Sequence, residues 1–429
     1  MRWKLGLIAA LATAAAVTRP FSAPAADALP KIKHVFVIVH ENKSYDDTWA
    51  ANSPATYLAK TLRAQGKLLT NYYATGHVSL DNYITIVSGQ PPNAFTQSDC
   101  QTFADFVGTV GADGIAIGQG CVYPPEVKTL ADQLEAKGLT WKGYMEDMGN
   151  DPVRDNGTTC AHPDIGPLSQ DHTESPVVGD QYATRHNPFV YFHSIIDRTA
   201  VCNANVVPLT RLTADLASLA TTAAFNFITP NLCNDGHDAP CVDGQPGGLV
   251  GIGTFTAQWA PRILNSPAFK DGGLLIVMFD ESEVQGDAAA CCNEPTGPNT
   301  LVPGIYGPGG GKVGALFVSP FVKPGTTSDV PYNHYSFLRS MEDLFGLSHL
   351  GYAAADGLVP FGADVYDNPS GGVAAATITA PPTTTAGRIL PVTGGGTAPS
   401  AVAIVVALAV LIAAPGRMAL PGRRRKGWR

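Results

Sequence analysis

Short apolar runs that alternate with amphipathic helical patterns are the feature that most constrains the fold of this chain. Near-continuous apolar runs with the length of buried strands occur at 34–39, 141–145, 189–192, 225–228, 274–279 and 315–318. Helical periodicity marks 53–64, 81–88, 129–137, 208–220, 256–265 and 335–345. This alternation predicts an α/β domain with a doubly wound, mostly parallel sheet and helices on both faces. In such a sheet, ligands bind at the carboxyl ends of the strands.

The N-terminus has the pattern of a secretory signal peptide. Arg2 and Lys4 precede an apolar run over residues 5–17, and small residues follow near Ala25. We predict a signal peptide over residues 1–25. A buried N-terminal helix is the less favoured alternative.

The C-terminus has the pattern of an anchoring segment. A Pro/Thr-rich stretch at 368–389 has the composition of an extended stalk. Residues 390–394 read LPVTG, and an apolar run over 401–414 and a basic tail follow. Residues 390–429 therefore resemble a sorting signal cut by sortase in Gram-positive envelopes, and a plain membrane anchor is the alternative. We expect an exported protein held at the surface of a Gram-positive-type bacterium, with sortase and the peptidoglycan or membrane as partners.

Charge and cysteine content describe the region between these ends, which we predict to be one domain over 26–367. Residues 1–25 and 390–429 carry nine basic residues and no acidic one, so residues 26–389 have a formal charge of −17. Such an acidic surface argues against a nucleic-acid partner. Eight cysteines, an even number, favour disulfide bonds in an exported chain. Cys233 and Cys241 are close enough to close a short loop.

Acidic and amide side chains follow two of the predicted strands. Glu41 and Asn42 come after the strand at 34–39, and Asp280 and Glu281 come after the strand at 274–279. Their oxygen atoms suit a hard cation, and two adjacent acids repel unless a cation neutralises them. An ordinary polar strand end is the alternative for each pair taken alone. Together they predict one divalent cation: Ca, Mg or Mn.

Ser79 stands at the predicted start of a helix, where backbone N–H groups favour phosphate. Asn82 is about one turn further on and can reach the same anion. A serine in this position is most often a helix cap, which is the alternative. The nearby sequence contains no sign of a His–Asp triad, so metal coordination is the other means of making this hydroxyl nucleophilic.

Two further segments supply histidines. Asp235 and His237 lie in a glycine-containing loop between Cys233 and Cys241, and a disulfide there would make that loop rigid. His186 comes just before the apolar run at 189–192. A solvent-exposed or merely structural histidine is the alternative in each case.

Taken in order, these segments resemble the bacterial phosphoesterase family of acid phosphatases and non-specific phospholipases C. The resemblance rests on HVFVIVHENKSYDD, RHNPFVYF, TPNLCNDGHD, LLIVMFDESE and NHYSFLRSMEDLFGL, and it covers about residues 31–351. VSLDNYITIVSG also resembles the nucleophile segment of the wider alkaline-phosphatase-like superfamily. The family resemblance therefore implies an alkaline-phosphatase-like fold.

The resemblance also implies a role for each site residue. Ser79 matches the nucleophile, and His237 is a candidate acid for the leaving group. The resemblance matches Asn82, His186 and His237 to phosphate-contacting positions, and we name Asp235 as a further candidate for substrate binding. Metal ligands are implied for Glu41, Asn42, Ser79, Asp280 and Glu281.

Three functions remain open from the sequence. The first is an acid phosphatase that acts on phosphate monoesters, phosphoinositides among them, through a phosphoserine. The second is a phospholipase C that acts on phospholipid headgroups, and the third is a catalytically dead surface adhesin. Lys43 stands where the family usually has arginine, and Gly236 replaces the usual methionine of NDMHD. Neither change removes a predicted ligand, but both make the substrate preference less certain.

Overall fold

The computed structural model describes residues 29–283 and 287–371, all within the first of two compact units of the chain, Met1–Pro381 and Pro382–Arg429. The predicted signal peptide, the sorting signal and nearly all of the predicted stalk lie outside these residues. Within them, no helix is both long and apolar enough to cross a membrane.

An eight-stranded sheet forms the centre of the domain. We number its strands β1 (His34–His40), β2 (Lys67–Leu69), β3 (Trp141–Met145), β4 (Val206–Pro208), β5 (Phe225–Thr229), β6 (Gly273–Phe279), β7 (Ala315–Val318) and β8 (Thr326–Ser328). Their order is β8-β2-β7-β6-β1-β5-β3-β4. Only β7 in this sheet is antiparallel to its neighbours. The mostly parallel α/β prediction is confirmed.

Nine α-helices lie in the described residues. They are α1 (Tyr45–Thr48), α2 (Ser79–Ser88), α3 (Leu130–Ala136), α4 (His193–Ile196), α5 (Thr199–Asn205), α6 (Leu212–Asp215), α7 (Gly248–Asn265), α8 (Pro267–Lys270) and α9 (His334–Phe345). Tyr57–Leu62 is π-helical, and Arg63–Gln65, Thr96–Ser98, Thr184–His186, Pro188–Tyr191, Leu209–Arg211 and Gly351–Ala354 are 3₁₀ turns. Two small two-stranded sheets pair Tyr72–Tyr73 with Tyr332–Asn333 and Val107–Val110 with Ala116–Gln119.

Helices cover both faces of the sheet, as the buried residues of β1 show. Val37 pairs in register with Phe227 of β5, whose ring contacts Tyr83 of α2. His40 lies on the opposite face, because side chains alternate along a strand, and it contacts Thr256 of α7. Burial on both faces explains why β1 is apolar along nearly its whole length.

Several predicted elements differ from the structure. The predicted strand at 189–192 lies in the 3₁₀ turn Pro188–Tyr191, because Pro188 at its start fixes φ and lacks a backbone N–H. The predicted helix at 208–220 is reduced to two short turns. The predicted helix at 53–64 is partly π-helical and starts later, at Tyr57. The short strands β2, β4 and β8 were not predicted, since three residues are too few for a periodic pattern.

All eight cysteines are paired in the structure. The pairs are Cys100–Cys121, Cys160–Cys202, Cys233–Cys241 and Cys291–Cys292. The predicted bridge across the His237 loop is therefore confirmed. Disulfides of this number are consistent with export.

Candidate active site

Polar side chains converge at the carboxyl ends of three neighbouring strands, β6, β1 and β5. The backbone N–H of Asn42 donates to Oδ1 of Asp280 at 3.1 Å, which joins the ends of β1 and β6. The N–H of Glu41 donates to the carbonyl of Asp235 at 2.9 Å, which joins β1 to the loop after β5. Parallel pairing places these ends at one edge of the sheet, and the structure thereby brings the two predicted strand-end pairs together.

Ser79 is the first residue of α2, and its hydroxyl faces this edge. Ser79 Oγ donates to Oε2 of Glu41 at 2.7 Å. The helix cap position belongs to Val78, which has φ +26°, a strained value for a β-branched residue. The hydroxyl of Ser79 therefore contacts an acid and does not cap the helix.

Three carboxyl groups, those of Glu41, Asp280 and Glu281, are almost fully buried beside Ser79. Burial raises the pKa of each well above its usual range, and repulsion among them adds to this effect. Within the described residues, Oε1 of Glu41 and Oδ2 of Asp280 have no hydrogen-bond partner. Buried carboxylate oxygens that lack partners fit a hard divalent cation, so the donor set agrees with the predicted ligands.

Asn42 completes this group from the end of β1. Its Nδ2 donates to Oε2 of Glu41 at 3.2 Å, the same oxygen that accepts from Ser79. Its backbone has φ +54°, a left-handed conformation that asparagine adopts more readily than most residues. The side chain is therefore turned towards the predicted metal ligands.

His186 and Asp235 form a second buried group that touches the first. His186 Nδ1 lies 3.0 Å from Oδ2 of Asp235, and its Nε2 lies 3.4 Å from Oε1 of Glu41 without hydrogen-bond geometry. Glu41, His186 and Asp235 offer ligand atoms within 4.8 Å of one another, so they also form a candidate metal cluster. Burial lowers the pKa of His186 well below its usual range, with further lowering by Arg185 and His237.

His237 lies at the more open side of the site. Its side chain is 35% exposed, and its Nδ1 lies 2.8 Å from Oδ1 of Asp238. Its backbone N–H donates to Oδ1 of Asp235 at 2.8 Å. The ring centre is 5.9 Å from that of His186. The loop closed by Cys233 and Cys241 thus places one histidine where a ligand from solvent would meet it.

Asn82 serves the loop before Ser79 in this structure. Its Oδ1 accepts from the backbone N–H groups of Thr75 and Gly76, and its Nδ2 donates to the carbonyls of Gly76 and Val78. These bonds occupy both ends of the amide. In this structure the amide of Asn82 fixes the backbone ahead of the serine, and its expected contact with phosphate stays a prediction.

Four residues of the site were missed by sequence reasoning. His77 bridges Oε2 of Glu281 and the carbonyl of Asp287, and burial lowers its pKa. Asp81 has two buried oxygens without a described hydrogen-bond partner, and burial raises its pKa well above the usual range.

Tyr83 stacks on His186 with ring centres 5.3 Å apart. Arg185 lies beside His237, with Nη2 3.5 Å from its Nε2. His77, Asp81 and Tyr83 lie within four residues of Ser79, which was the available indication.

The Phosphoesterase family model matches residues 51–348, which contain the helix of Ser79 and the strand ends of β5 and β6. This chain belongs to the Phosphoesterase family. The family resemblance inferred from the sequence is thereby confirmed.

Curated relatives are similar over most of the chain. An acid phosphatase of Aspergillus fumigatus is 26% identical over 344 residues, which are 80% of this chain and 62% of the relative. A probable acid phosphatase of Kluyveromyces lactis is 25% identical and covers 74% of this chain and 59% of the relative. The chain thus spans about three fifths of the length of these relatives. A phosphatidylinositol-3-phosphatase of Mycobacterium tuberculosis is 24% identical over 77% of this chain and 82% of the relative.

Among solved structures, a protein in the alkaline phosphatase superfamily from Vibrio parahaemolyticus is similar at a TM-score of 0.40. It is 13% identical, and the match covers 79% of this chain and 74% of the other. At this score the likeness adds nothing to the family assignment.

Proposed function

We propose that this protein is an exported, metal-dependent phosphoesterase that hydrolyses phosphate monoesters through a phosphoserine on Ser79. The observation that carries the proposal is the hydroxyl of Ser79, at the start of α2, bonded to Glu41 at 2.7 Å among buried carboxylates. Membership of the Phosphoesterase family and the acid phosphatases among its relatives support the same reaction class. The phosphatidylinositol-3-phosphatase relative adds phosphoinositides as candidate substrates.

The first step begins with proton removal from Ser79. A cation would be held by Glu41, Asn42, Asp280 and Glu281 with the oxygen of Ser79, and when bound it supplies a lower hydroxyl pKa and offsets phosphate charge. The Ser79 proton points along its hydrogen bond to Oε2 of Glu41. As Oε2 of Glu41 takes up this proton, Oγ attacks phosphorus in line with the departing alcohol oxygen. Backbone N–H groups at the start of α2 favour the phosphate position.

The histidine side of the site serves the leaving group. His237 is open to solvent, and Asp238 holds its Nδ1, so Nε2 is the atom that would protonate the departing oxygen. Asp235 fixes both His186, through Nδ1, and the backbone of His237. In the second step, water attacks the phosphoserine while Nε2 of His237 takes up the water proton. Ser79 Oγ leaves phosphorus and recovers its proton from Oε2 of Glu41, which regenerates the hydroxyl.

A substrate panel tests the proposal and its alternatives. The secreted protein is assayed against p-nitrophenyl phosphate, p-nitrophenyl phosphorylcholine and a set of phosphoinositides, with and without chelator. We expect chelator-sensitive release from the monoester and slower release from the diester. Preference for the diester would instead indicate a phospholipase C. Failure to hydrolyse any of these compounds, with metal present, would favour the surface adhesin.

Surface anchoring is a separate part of the proposal. LPVTG with its apolar run and basic tail supports cleavage after Thr393 and attachment to peptidoglycan. Fractionation of cells with and without the sortase tests this, because attachment to the wall should be lost in the deletion strain. Unchanged wall attachment would favour the plain membrane anchor.

A further inference from the structure

Arg185 is a buried cation beside the candidate active site that the mechanism above does not use. Within the described residues, Arg185 and Lys67 are the arginine and lysine residues that are buried as whole residues, each 3% exposed. Lys67 has a close acidic partner, Asp367, at 2.8 Å. Arg185 directly precedes His186 and faces the loop of His237. Burial of a positive charge costs free energy unless nearby polar or negatively charged groups stabilise it. The surroundings of Arg185 therefore indicate what it binds.

The contacts of Arg185 are unusually long for a buried guanidinium. Its Nε lies 3.7 Å from the carboxylate of Asp99, and its Nη2 lies 3.5 Å from Nε2 of His237. Its Nη1 donates to the backbone carbonyl of Glu174 at 3.4 Å and lies 3.6 Å from the carboxylate of the same residue. Charge-assisted hydrogen bonds of this kind are usually about 2.7–2.9 Å long. The acids around Arg185 attract its charge, and its two hydrogen bonds, at 3.4 and 3.5 Å, are long enough for an anion to compete for the same N–H groups.

Arg154 in the same domain makes shorter contacts through its two Nη atoms, although its Nε has no hydrogen-bond partner within the described residues. Its Nη1 donates to Asp155 at 2.9 Å and to Asp180 at 3.0 Å, and its Nη2 donates to the carbonyl of Tyr182 at 2.8 Å. This guanidinium therefore stabilises the fold. The looser contacts of Arg185 leave donors that an incoming anion can take up.

Asp99 fixes the position of Arg185 relative to the nucleophile. Its Oδ1 accepts from the backbone N–H of Leu80, the residue after Ser79, at 3.0 Å, while its Oδ2 faces Arg185. Asp99 and Glu174 lie beside this guanidinium, and an arginine side chain stays protonated in proteins. Arg185 is therefore charged and placed between the start of α2 and His237.

We propose that Arg185 is a substrate-binding residue whose guanidinium pairs with two non-bridging oxygens of a phosphate monoester at Ser79. This inference rests on the proposed function and deepens it. A monoester dianion has three non-bridging oxygens, so it can meet the cation and the planar fork of Arg185 together. A diester has two such oxygens and one negative charge. Arg185 thus favours the dianionic class of substrate.

Binding of inorganic phosphate tests this role apart from turnover. Isothermal titration calorimetry is done on the wild type, Arg185→Gln, Arg185→Lys and the exposed control Arg262→Gln, all metal-loaded. We expect phosphate to bind on the order of ten- to a hundredfold more weakly to Arg185→Gln, the loss of a charged hydrogen-bond pair. Arg185→Lys should be intermediate, because it keeps charge but not the fork. Arg262 lies over Trp259 on the surface, so its variant should bind normally.

Steady-state kinetics then distinguish the proposed role of Arg185 from the proposed reaction at Ser79. With p-nitrophenyl phosphate, Arg185→Gln should raise KM and lower kcat/KM, and added guanidinium ion should restore part of the loss. Normal phosphate affinity and normal KM in a folded Arg185→Gln variant would overturn the role of Arg185 while leaving the proposed reaction intact. A wild type that neither binds phosphate nor hydrolyses esters would overturn both.

Discussion

The Oγ atom of Ser79 lies 2.7 Å from Oε2 of Glu41, although the two residues belong to different elements, α2 and the end of β1. The contact joins a hydroxyl at a helix start to a carboxyl group that burial makes more basic. The serine is thereby held in one orientation before any substrate arrives. This pre-organisation is what a nucleophile needs.

Replacement of that hydroxyl gives the first prediction. Ser79→Ala should lower kcat by several orders of magnitude, because the covalent route is lost. Ser88→Ala is the matched control at the other end of α2, where the hydroxyl donates to the carbonyl of Ile84 and accepts from the backbone N–H of Gln90. Its activity should stay near that of the wild type. Circular dichroism checks that both variants are folded.

Chemical trapping gives an independent readout of the same step. Rapid quench of the wild type with substrate should leave a phosphate on the peptide that contains Ser79, detected by mass spectrometry. Near-normal turnover by a folded Ser79→Ala variant would contradict the phosphoserine route and point to direct attack by water.

Removal of the cation should affect both activity and stability. Chelation leaves the buried acids Glu41, Asp280 and Glu281 repelling one another. The metal-free protein should lose activity and melt at a lower temperature, since a ligand at a hundred times its Kd adds about 2.7 kcal/mol. Asp280→Asn should weaken metal binding, whereas Asp271→Asn, at an exposed pair with Lys33, should not. Metal analysis and calorimetry measure this, and full activity in verified metal-free protein would be incompatible with it.

Stability should depend on pH through Glu342 of α9. Burial raises its pKa to about 9 from an ordinary value of 4.5. The fold favours the protonated form, so its contribution is full below pH 4.5 and is lost as the pH rises towards 9. Glu342→Gln should therefore raise stability at pH 8 by about 1–3 kcal/mol and change little at pH 4.5. The amide keeps an acceptor for the N–H of Leu350.

The control for Glu342 is Glu126→Gln, which makes the same change of charge at an exposed position. Chemical denaturation of the three proteins at several pH values measures the effect. A Glu342→Gln variant whose stability follows the wild-type pH curve would show that this carboxyl is not neutral in the fold.

Removal of two different disulfides should affect the stability and the activity of the protein to different extents. The chain-entropy model assigns about 2.5 kcal/mol to the 8-residue loop of Cys233–Cys241 and about 4 kcal/mol to the 42-residue loop of Cys160–Cys202. Paired Cys→Ser changes at 160 and 202 should lower the melting temperature more than the same changes at 233 and 241. The changes at 233 and 241 should cause the larger loss of kcat/KM, because they free the loop of His237. The reverse order of the two activity losses would count against a catalytic role for that loop.

The sequence predicted the central part of the fold well. β6 was predicted at 274–279 and lies at Gly273–Phe279, because a strand buried on both faces is apolar at every position. The same rule misled at 189–192, where apolar side chains pack into the core from a 3₁₀ turn. Apolar runs report burial, and only the proline distinguished the two cases.

The residues of the candidate site also fall into those that the sequence could predict and those that it could not. Glu41 and Asp280 were predictable because strand ends meet at a known edge of the sheet. Arg185 and Asp99 were not, because their importance depends on long-range contacts with α2 and with each other. Asn82 was expected at the phosphate, but the loop from Thr75 to Val78 takes both ends of its amide. Side-chain partners of this kind follow from packing, which no local pattern records.

The junction between Asn42 and Asp280 has a consequence for when the protein first becomes active. These residues are 238 positions apart in the chain, and they meet only after β1 and β6 have paired. Long-range parallel pairing is slow, because a large loop must close before any contact is made. A nascent chain therefore has no assembled catalytic centre until most of it has been synthesised and folded. If the chain is exported as proposed, a precursor that is still unfolded would be unable to hydrolyse phosphate esters inside the cell.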